Sequence, residues 1–143
     1  MRYLAIDPGK MCGVAMRTVR DVVVPPGTWE WPAWEAVQFV DDVLSTADSG
    51  INVVVESFVP RPGTRTWQPD ALEVIGAVRW TCLKYHHEFE LQTPAQAKAF
   101  STNEKLKRIG WYSPTKDGHA NDAVRHLLLA MVRHGDIAKE DLV

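Results

Sequence analysis

The chain has 143 residues, the length of one ordinary domain, and we expect residues 1–143 to form a single domain. Hydrophobic residues make up 45% and charged residues 24%, a globular composition that excludes a disordered chain. With 16 Lys and Arg against 18 Asp and Glu, the net charge is −2, so any nucleic-acid binding requires a local basic patch.

Neither the cysteines nor the apolar segments predict a secreted or membrane-inserted protein. Cys12 and Cys82 are too few for a disulfide framework and predict reduced, buried thiols. The N-terminal apolar run meets a charge at Asp7 and is too short for a signal peptide. Because no window approaches 18 apolar residues, we expect no membrane span and a soluble cytoplasmic protein.

The first part of the chain predicts three short strands joined by tight turns. Residues 2–6 form a β-rich run that stops at the turn sequence D-P-G at 7–9. Residues 12–16 form a second apolar run, and residues 22–24 form a third that ends at P-P-G, 25–27. Strands connected this tightly favour an antiparallel meander.

Helical and strand patterns alternate after that point. Apolar residues at three- and four-residue spacing predict a helix that opens at Pro32 and reaches about residue 47. The largely β-branched run at 51–55 predicts a strand buried on both faces. Residues 59–70 hold three prolines and two arginines without periodicity, which is typical of a long, functional loop.

The C-terminal half continues the alternation. A helix is predicted over 70–85 with Asp70 as its N-cap, followed by a strand over 89–92. The Thr-Pro pair that opens 93–100 indicates a short helix, and 102–109 predicts another helical turn or two.

The last helix has the clearest pattern, with apolar residues at helical spacing from Ala120 to Met131. The element order is therefore β-β-β-α-β-α-β-α, with an extra helical segment before the last helix. This order predicts an α/β fold in which helices cover a mixed sheet.

Acidic residues occupy three positions that this fold would bring together. Asp7 ends the first strand and Glu56 ends the long buried strand, so both carboxylates emerge at one sheet edge if the strands are parallel neighbours. His119 and Asp122 share a face at the start of the last helix, and His126 continues that stripe one turn later. The apolar stripe turns the edge with His119 and Asp122 toward the sheet.

Such a cluster predicts a metal site. Crowded carboxylates repel one another, and hard divalent cations such as Mg²⁺ compensate that repulsion. Two ions about 4 Å apart can stabilise both oxygens of an in-line phosphoryl displacement. Each residue alone has an ordinary structural explanation, but their combination predicts phosphodiester hydrolysis with water as the nucleophile.

Five segments, in order, resemble the RuvC-type Holliday junction resolvases of the ribonuclease-H-like nuclease superfamily: AIDPGKMCGVA, VVVESF, ALEVIGAVRW, TPAQAK and GHANDAVRHLL. The resemblance covers about residues 2–134 and is greatest to short phage members. It implies a ribonuclease-H-like mixed five-stranded sheet, three antiparallel strands and then parallel ones, flanked by helices. It also implies a crossover junction endonuclease in a bacterial cell or phage-infected host, which resolves four-way junctions by paired symmetric nicks.

The resemblance assigns the cluster a role. It implies two Mg²⁺ or Mn²⁺ ions per active site, held by Asp7, Glu56, His119 and Asp122. His119 falls where members carry Asp or His, and a nitrogen ligand favours Mn²⁺ more than an all-oxygen site would. Lys98 matches a basic residue near the scissile phosphate.

Further residues are implied to contact DNA. A second basic residue of the family falls near Lys105 or Lys107, and the sequence leaves that choice open. Phe58 is the candidate for an aromatic that stacks on bases opened at the junction. Arg61 and Arg65 are candidate phosphate contacts in the long loop, where an ordinary solvated loop is an equal alternative.

A homodimer is the expected assembly. A four-way junction has two-fold symmetry, and a C₂ dimer supplies two sites at a fixed separation. The family builds its dimer surface largely from the second helix. Here that helix carries more apolar residues than one core face needs: Leu72, Ile75, Trp80, Leu83 and Tyr85.

Other functions remain open on the same residues. A nuclease for forks, flaps or other branched nucleic acid would share every residue of the cluster. A non-catalytic DNA-binding module on the same fold is expected to lack one of the acidic ligands, and none is lost here. An ATPase of the sugar- or acetate-kinase type needs a second domain, for which 143 residues leave no room.

Overall fold

A five-stranded mixed sheet lies at the centre of the computed structural model, which describes residues 2–18, 24–58, 69–115 and 117–142. The strands are β1 Arg2–Asp7, β2 Met11–Arg17, β3 Gly27–Pro32, β4 Ile51–Glu56 and β5 Glu88–Gln92. The helices are α1 Ala33–Thr46, α2 Pro69–Tyr85, α3 Pro94–Phe100, α4 Asn103–Arg108 and α5 His119–Arg133, followed by a 3₁₀ turn, Lys139–Leu142.

The sheet has the predicted topology. Its strand order is β3-β2-β1-β4-β5, and β1 and β3 each run antiparallel to β2. β1 runs parallel to β4, and β4 runs parallel to β5. The prediction of three antiparallel strands followed by parallel ones, covered by helices, is therefore confirmed.

The two central strands are buried because helices cover both of their faces. Tyr3 and Ala5 of β1 point toward α5, where Leu127 and Leu128 pack in the same core cluster. Leu4 of β1 belongs to a second cluster on the opposite face, which includes side chains of α1 and α2. This double coverage explains why the interiors of β1 and β4 are largely apolar, although β4 also buries the polar side chain of Asn52.

The third strand lies later than the sequence pattern indicates. β3 is Gly27–Pro32, and Val24 precedes it, while residues 22 and 23 lie outside the described part of the chain. The Pro-Pro-Gly segment therefore leads into β3. Trp29 and Trp31 alternate onto one face, where their ring centroids lie 5.2 and 4.8 Å from that of Phe39 in α1. This aromatic packing fixes the strand.

The first residues of two helices can be compared with the N-caps that the sequence predicts. Thr93 is the N-cap of α3 and forms a capping box with Gln96, as the Thr-Pro signal predicts. Asp70 is not an N-cap, because α2 begins at Pro69 and Asp70 lies in its first turn; proline is favoured at the first helical position.

Cys12 and Cys82 are buried free thiols, as predicted. Among the described helices, none has the length and apolar character that a membrane crossing requires.

Candidate active site

Two carboxylates of the predicted cluster end adjacent parallel strands. In the β1–β4 register Ile6 lies opposite Val55, so Asp7 and Glu56 leave the sheet at the same edge. Asp7 is only 7% exposed. The carboxyl ends of these strands thus form the floor of a site, at the edge where ligands of such sheets bind.

The start of α5 is held against this edge by β2 and β3. Gly13 of β2 lies opposite Asp7 in the sheet, and a Cβ there would be 1.8 Å from the carbonyl oxygen of His119. Glu30 of β3 accepts a hydrogen bond from Ala120 N at 3.0 Å. Glu30 supplies the cap that the N-cap residue, Gly118 at φ 76°, has no side chain to make.

This packing brings α5 residues to the two carboxylates. His119 Nδ1 lies 2.9 Å from Asp7 Oδ2. One cavity of about 610 Å³ has Asp7, Glu56, His119 and Asp122 in its wall together with Phe58. The four metal ligands implied by the sequence resemblance therefore line a single cavity, although they come from three elements.

The surroundings of Asp7 disfavour the charged form of its carboxyl group. Burial raises the pKa of Asp7 to about 7, and the charges of Glu56 and Asp122 add to this, while the hydrogen bond from His119 opposes it. Burial lowers the pKa of His119, but the hydrogen bond and charge of Asp7, with smaller contributions from Glu30 and Asp122, raise it above its usual value overall. A neighbouring positive charge would relieve the repulsion among the carboxylates.

The donor set fits a hard divalent cation. Four carboxylates line the same solvent-open space as the imidazole of His119, because Asp70 of α2 joins Asp7, Glu56 and Asp122 in the cavity wall. Oxygen-rich sets of this kind suit Mg²⁺ or Mn²⁺. As they are oriented, however, no three His, Cys, Asp or Glu side chains within the described ranges are close enough to share one ion. Asp7 and Glu56 are each hydrogen-bonded to a histidine instead, Asp7 to His119 and Glu56 to His126.

A second cavity adjoins the first and contains the predicted basic residue. It measures about 360 Å³, and its wall includes Lys98 and Tyr112. Asp122 and Arg125 also line it, and Asp122 lines both cavities. Lys98 is exposed and thus faces a space next to the acidic cluster rather than the cluster itself.

The two alternatives for the second basic residue differ in their surroundings. Lys105 Nζ donates to the backbone oxygen of Phe100 at 3.1 Å and lies 4.2 Å from the centre of that ring. Lys107 is exposed, and its Nζ lies 4.8 Å from the ring centre of Tyr112, which lines the second cavity. Lys107 is therefore the better placed of the two for a ligand in that cavity. Arg61 and Arg65 lie outside the described residues.

Two site residues have no role in the sequence analysis. His126 is only 1% exposed, and its Nε2 lies 2.7 Å from Glu56 Oε2. Arg125 is bonded to Asp122 Oδ1 through its guanidinium. The sequence pattern places His126 on the stripe of His119 and Asp122 without a role, and the i+3 spacing from Asp122 is the signal that could have indicated Arg125.

Known structures share this fold. No family model and no curated protein sequence matches the chain. The Thermus thermophilus RuvC structure in complex with a Holliday junction substrate aligns with a TM-score of 0.64 at 19% identity, over 95% of this chain and 97% of that one. A further Thermus thermophilus RuvC structure aligns with a TM-score of 0.62 at 18% identity, over 95% and 98%. The chain therefore has the RuvC-type, ribonuclease-H-like fold that its sequence segments imply.

Proposed function

We propose that this protein is a metal-dependent endonuclease that cuts branched DNA, with four-way junctions as its substrate and paired symmetric nicks as its product. The observation that carries the proposal is the convergence of Asp7, Glu56, His119 and Asp122 on one cavity. The shared fold supports it, since one of the aligned structures is a RuvC bound to a Holliday junction substrate.

The cluster divides the chemistry between bound cations and the chain's own groups. Asp7, Glu56 and Asp122, with His119, would hold divalent cations, which when bound activate water and neutralise charge on the reacting phosphate. His119 Nδ1 and Asp7 Oδ2 lie 2.9 Å apart, so each of these two groups holds the other in place at the floor of the cavity. Lys98 supplies a positive charge for the phosphate from the adjoining cavity.

The paired nicks require two sites, and we propose a homodimer. Part of the apolar surface expected on α2 is exposed: Leu72 is 39%, Trp80 66% and Leu83 65% exposed. Ile75 and Tyr85 instead pack against the core and do not belong to that surface. The remaining three residues are the candidates for the contact between copies.

A cleavage assay tests the function. A four-way junction, a replication fork and a linear duplex of matched sequence are incubated with the protein and Mg²⁺ or Mn²⁺, and cuts are mapped on every strand. Symmetric nicks in opposing junction strands support the proposal. Preferential cutting of the fork would favour the general branched-nucleic-acid nuclease, and junction binding without any cut would favour the non-catalytic module.

Lys98→Ala is expected to lower junction cleavage by about 10²-fold, because it removes a cation that stabilises charge on the phosphate in the transition state. Lys98 is exposed, so unfolding free energy should change by no more than about 0.5 kcal/mol. Single-turnover cleavage and thermal melting check the two expectations. Lys139→Ala, at an exposed position outside both cavities, is the control. Parental cleavage by the Lys98 variant would remove Lys98 from the site.

His119→Asp is expected to reduce the ratio of Mn²⁺-supported to Mg²⁺-supported cleavage several-fold. The substitution replaces a nitrogen donor by an oxygen donor, and Mg²⁺ favours oxygen more strongly than Mn²⁺ does. The measurement is the cleavage rate across a concentration series of each metal. His86→Asp, in an exposed turn, serves as the matched control. An unchanged ratio would mean that His119 does not bind the metal.

A further inference from the structure

Two buried polar residues on α5 each contact a carboxylate of the candidate site. Arg125 and His126 follow Asp122 by three and four residues and are 9% and 1% exposed. Burying such groups is costly unless they are fully hydrogen-bonded. Their contacts therefore indicate what the buried positions are used for.

The guanidinium of Arg125 joins three parts of the chain. Its Nε donates to the backbone oxygen of Ser101 at 2.9 Å, its second nitrogen is bonded to Asp122 Oδ1, and its third is bonded to Asn103 Oδ1. Ser101 directly follows α3, the helix that carries Lys98, and Asn103 is the first residue of α4. Arg125 thus fixes Asp122 relative to α3, which carries Lys98, and α4. It leaves Asp122 Oδ2 for a cation.

His126 continues a chain of hydrogen bonds through the interior to Glu56. Gln92 is 1% exposed, and its Nε2 donates to Glu90 Oε1 at 2.8 Å. Its Oε1 therefore accepts from His126 Nδ1, at 3.0 Å. The other ring nitrogen, Nε2, lies 2.7 Å from Glu56 Oε2. The imidazole is held at both ends, which sets the rotamer of Glu56 and leaves its Oε1 for a cation.

We propose that Arg125 and His126 are positioning residues that orient Asp122 and Glu56 for divalent cation binding. The proposal deepens the proposed function and rests on it. Removal of groups that orient metal ligands through their outer atoms commonly lowers metal affinity by about 10–100-fold. One turn of α5 therefore carries the ligand Asp122, and the next turn carries the residues that orient two ligands.

The test measures Mn²⁺ binding directly, without DNA, by titration calorimetry or the electron paramagnetic resonance of free Mn²⁺. His126→Leu and Arg125→Met are expected to weaken Mn²⁺ binding by about 10–100-fold. For His126→Leu, binding of four-way junction DNA in EDTA should stay within about twofold of the parent, because phosphate contacts do not depend on Glu56.

Conservative variants separate positioning from a merely structural role. His126→Gln places an amide nitrogen near the position of Nε2, so Mn²⁺ affinity should return to within a few-fold of the parent. Arg125→Lys keeps the charge but loses the three-way contact, so it should fold as the parent does yet still bind Mn²⁺ more weakly. These two variants keep the test decisive if the apolar variants unfold.

His87→Leu is the matched control. His87 also makes two hydrogen bonds, from Ile51 N at 3.1 Å and with Leu44 O at 2.9 Å, but at the opposite end of β4 from Glu56. The His87→Leu substitution should lower the melting temperature and leave the Mn²⁺ affinity of the folded protein unchanged.

The outcomes distinguish failure of the inference from failure of the function. If Asp7→Asn loses Mn²⁺ while the variants at 125 and 126 bind it as tightly as the parent, the inference is overturned and the proposed function stands. Equal weakening by His126→Leu and His126→Gln would also overturn it, since the restored hydrogen bond would then have no effect. A parent that binds no Mn²⁺ would overturn both.

Discussion

Asp7→Asn is expected to abolish junction cleavage while the protein stays folded and still binds junction DNA. Asp7 lies between Glu56 and His119 at the floor of the cavity, and an amide cannot supply its charged oxygens to a cation. Loss of metal binding removes both the activated water and the stabilisation of phosphate charge, so the rate should fall by roughly three orders of magnitude or more. DNA binding depends on the basic residues and should persist.

The same substitution should stabilise the metal-free protein in a pH-dependent way. Burial holds the pKa of Asp7 at about 7 against an ordinary value of 3.8, so the parent is favoured when this carboxyl is protonated. That stability is complete below about pH 4 and is lost as the pH rises to 7, by at most about 1.4 kcal/mol for each pH unit. Asn carries no charge, so the melting temperature of Asp7→Asn should exceed that of the parent. The difference should grow between about pH 4 and pH 7 and stay constant at higher pH.

Melting in EDTA at pH 5, 6, 7 and 8 tests this expectation, with Asp42→Asn on the exposed face of α1 as the control. Added Mn²⁺ should then stabilise the parent more than the Asp7 variant, because only the native parent binds the ion tightly. Near-parental cleavage by Asp7→Asn would contradict the site assignment. A variant that unfolds at every pH would instead make Asp7 a structural turn residue.

The parts of the fold that follow from local pattern were predictable. The run 51–55 is apolar apart from Asn52 because both faces of β4 are covered, and the stripe from Ala120 to Met131 is apolar because α5 packs on the sheet. Asp7 and Glu56 interrupt such runs at their ends, which is why the sequence placed both at one sheet edge. These predictions depend only on residue spacing and on the direction of neighbouring strands.

Features that depend on contacts between elements distant in the sequence were not predictable. β3 is fixed by Trp29 and Trp31 packing on Phe39, a contact between elements that the turn signal at 25–27 could not reveal. Glu30 gives no sign in the sequence that it caps a helix 90 residues later in the chain. Arg125 likewise looks like an ordinary polar residue, and the sequence gives His126 only a place on the stripe of His119 and Asp122; the structure shows that the partners of both are site carboxylates.

Gly13→Ala is the second substitution with a large expected effect. Its Cβ would lie 1.8 Å from His119 O, 2.2 Å from His119 C and 2.8 Å from Ala120 N, all backbone atoms that no rotamer change can move aside. The start of α5 must therefore shift by an ångström or more, on the order of the displacement that costs 10²-fold in rate. Overpacking at such a contact destabilises by about 1–3 kcal/mol.

The shift should act on the site more than on the rest of the molecule. Gly13 lies opposite Asp7 in the sheet, so moving α5 away from it lengthens the 2.9 Å contact between His119 and Asp7 and carries Asp122 outward. Mn²⁺ affinity and cleavage should therefore both fall, whereas Gly50→Ala, with nothing within 4 Å of the added Cβ, should match the parent. Unchanged melting temperature and Mn²⁺ affinity in Gly13→Ala would show that α5 does not approach β2 this closely. That result would remove the geometric basis on which His119 and Asp122 are assigned to the same site as Asp7.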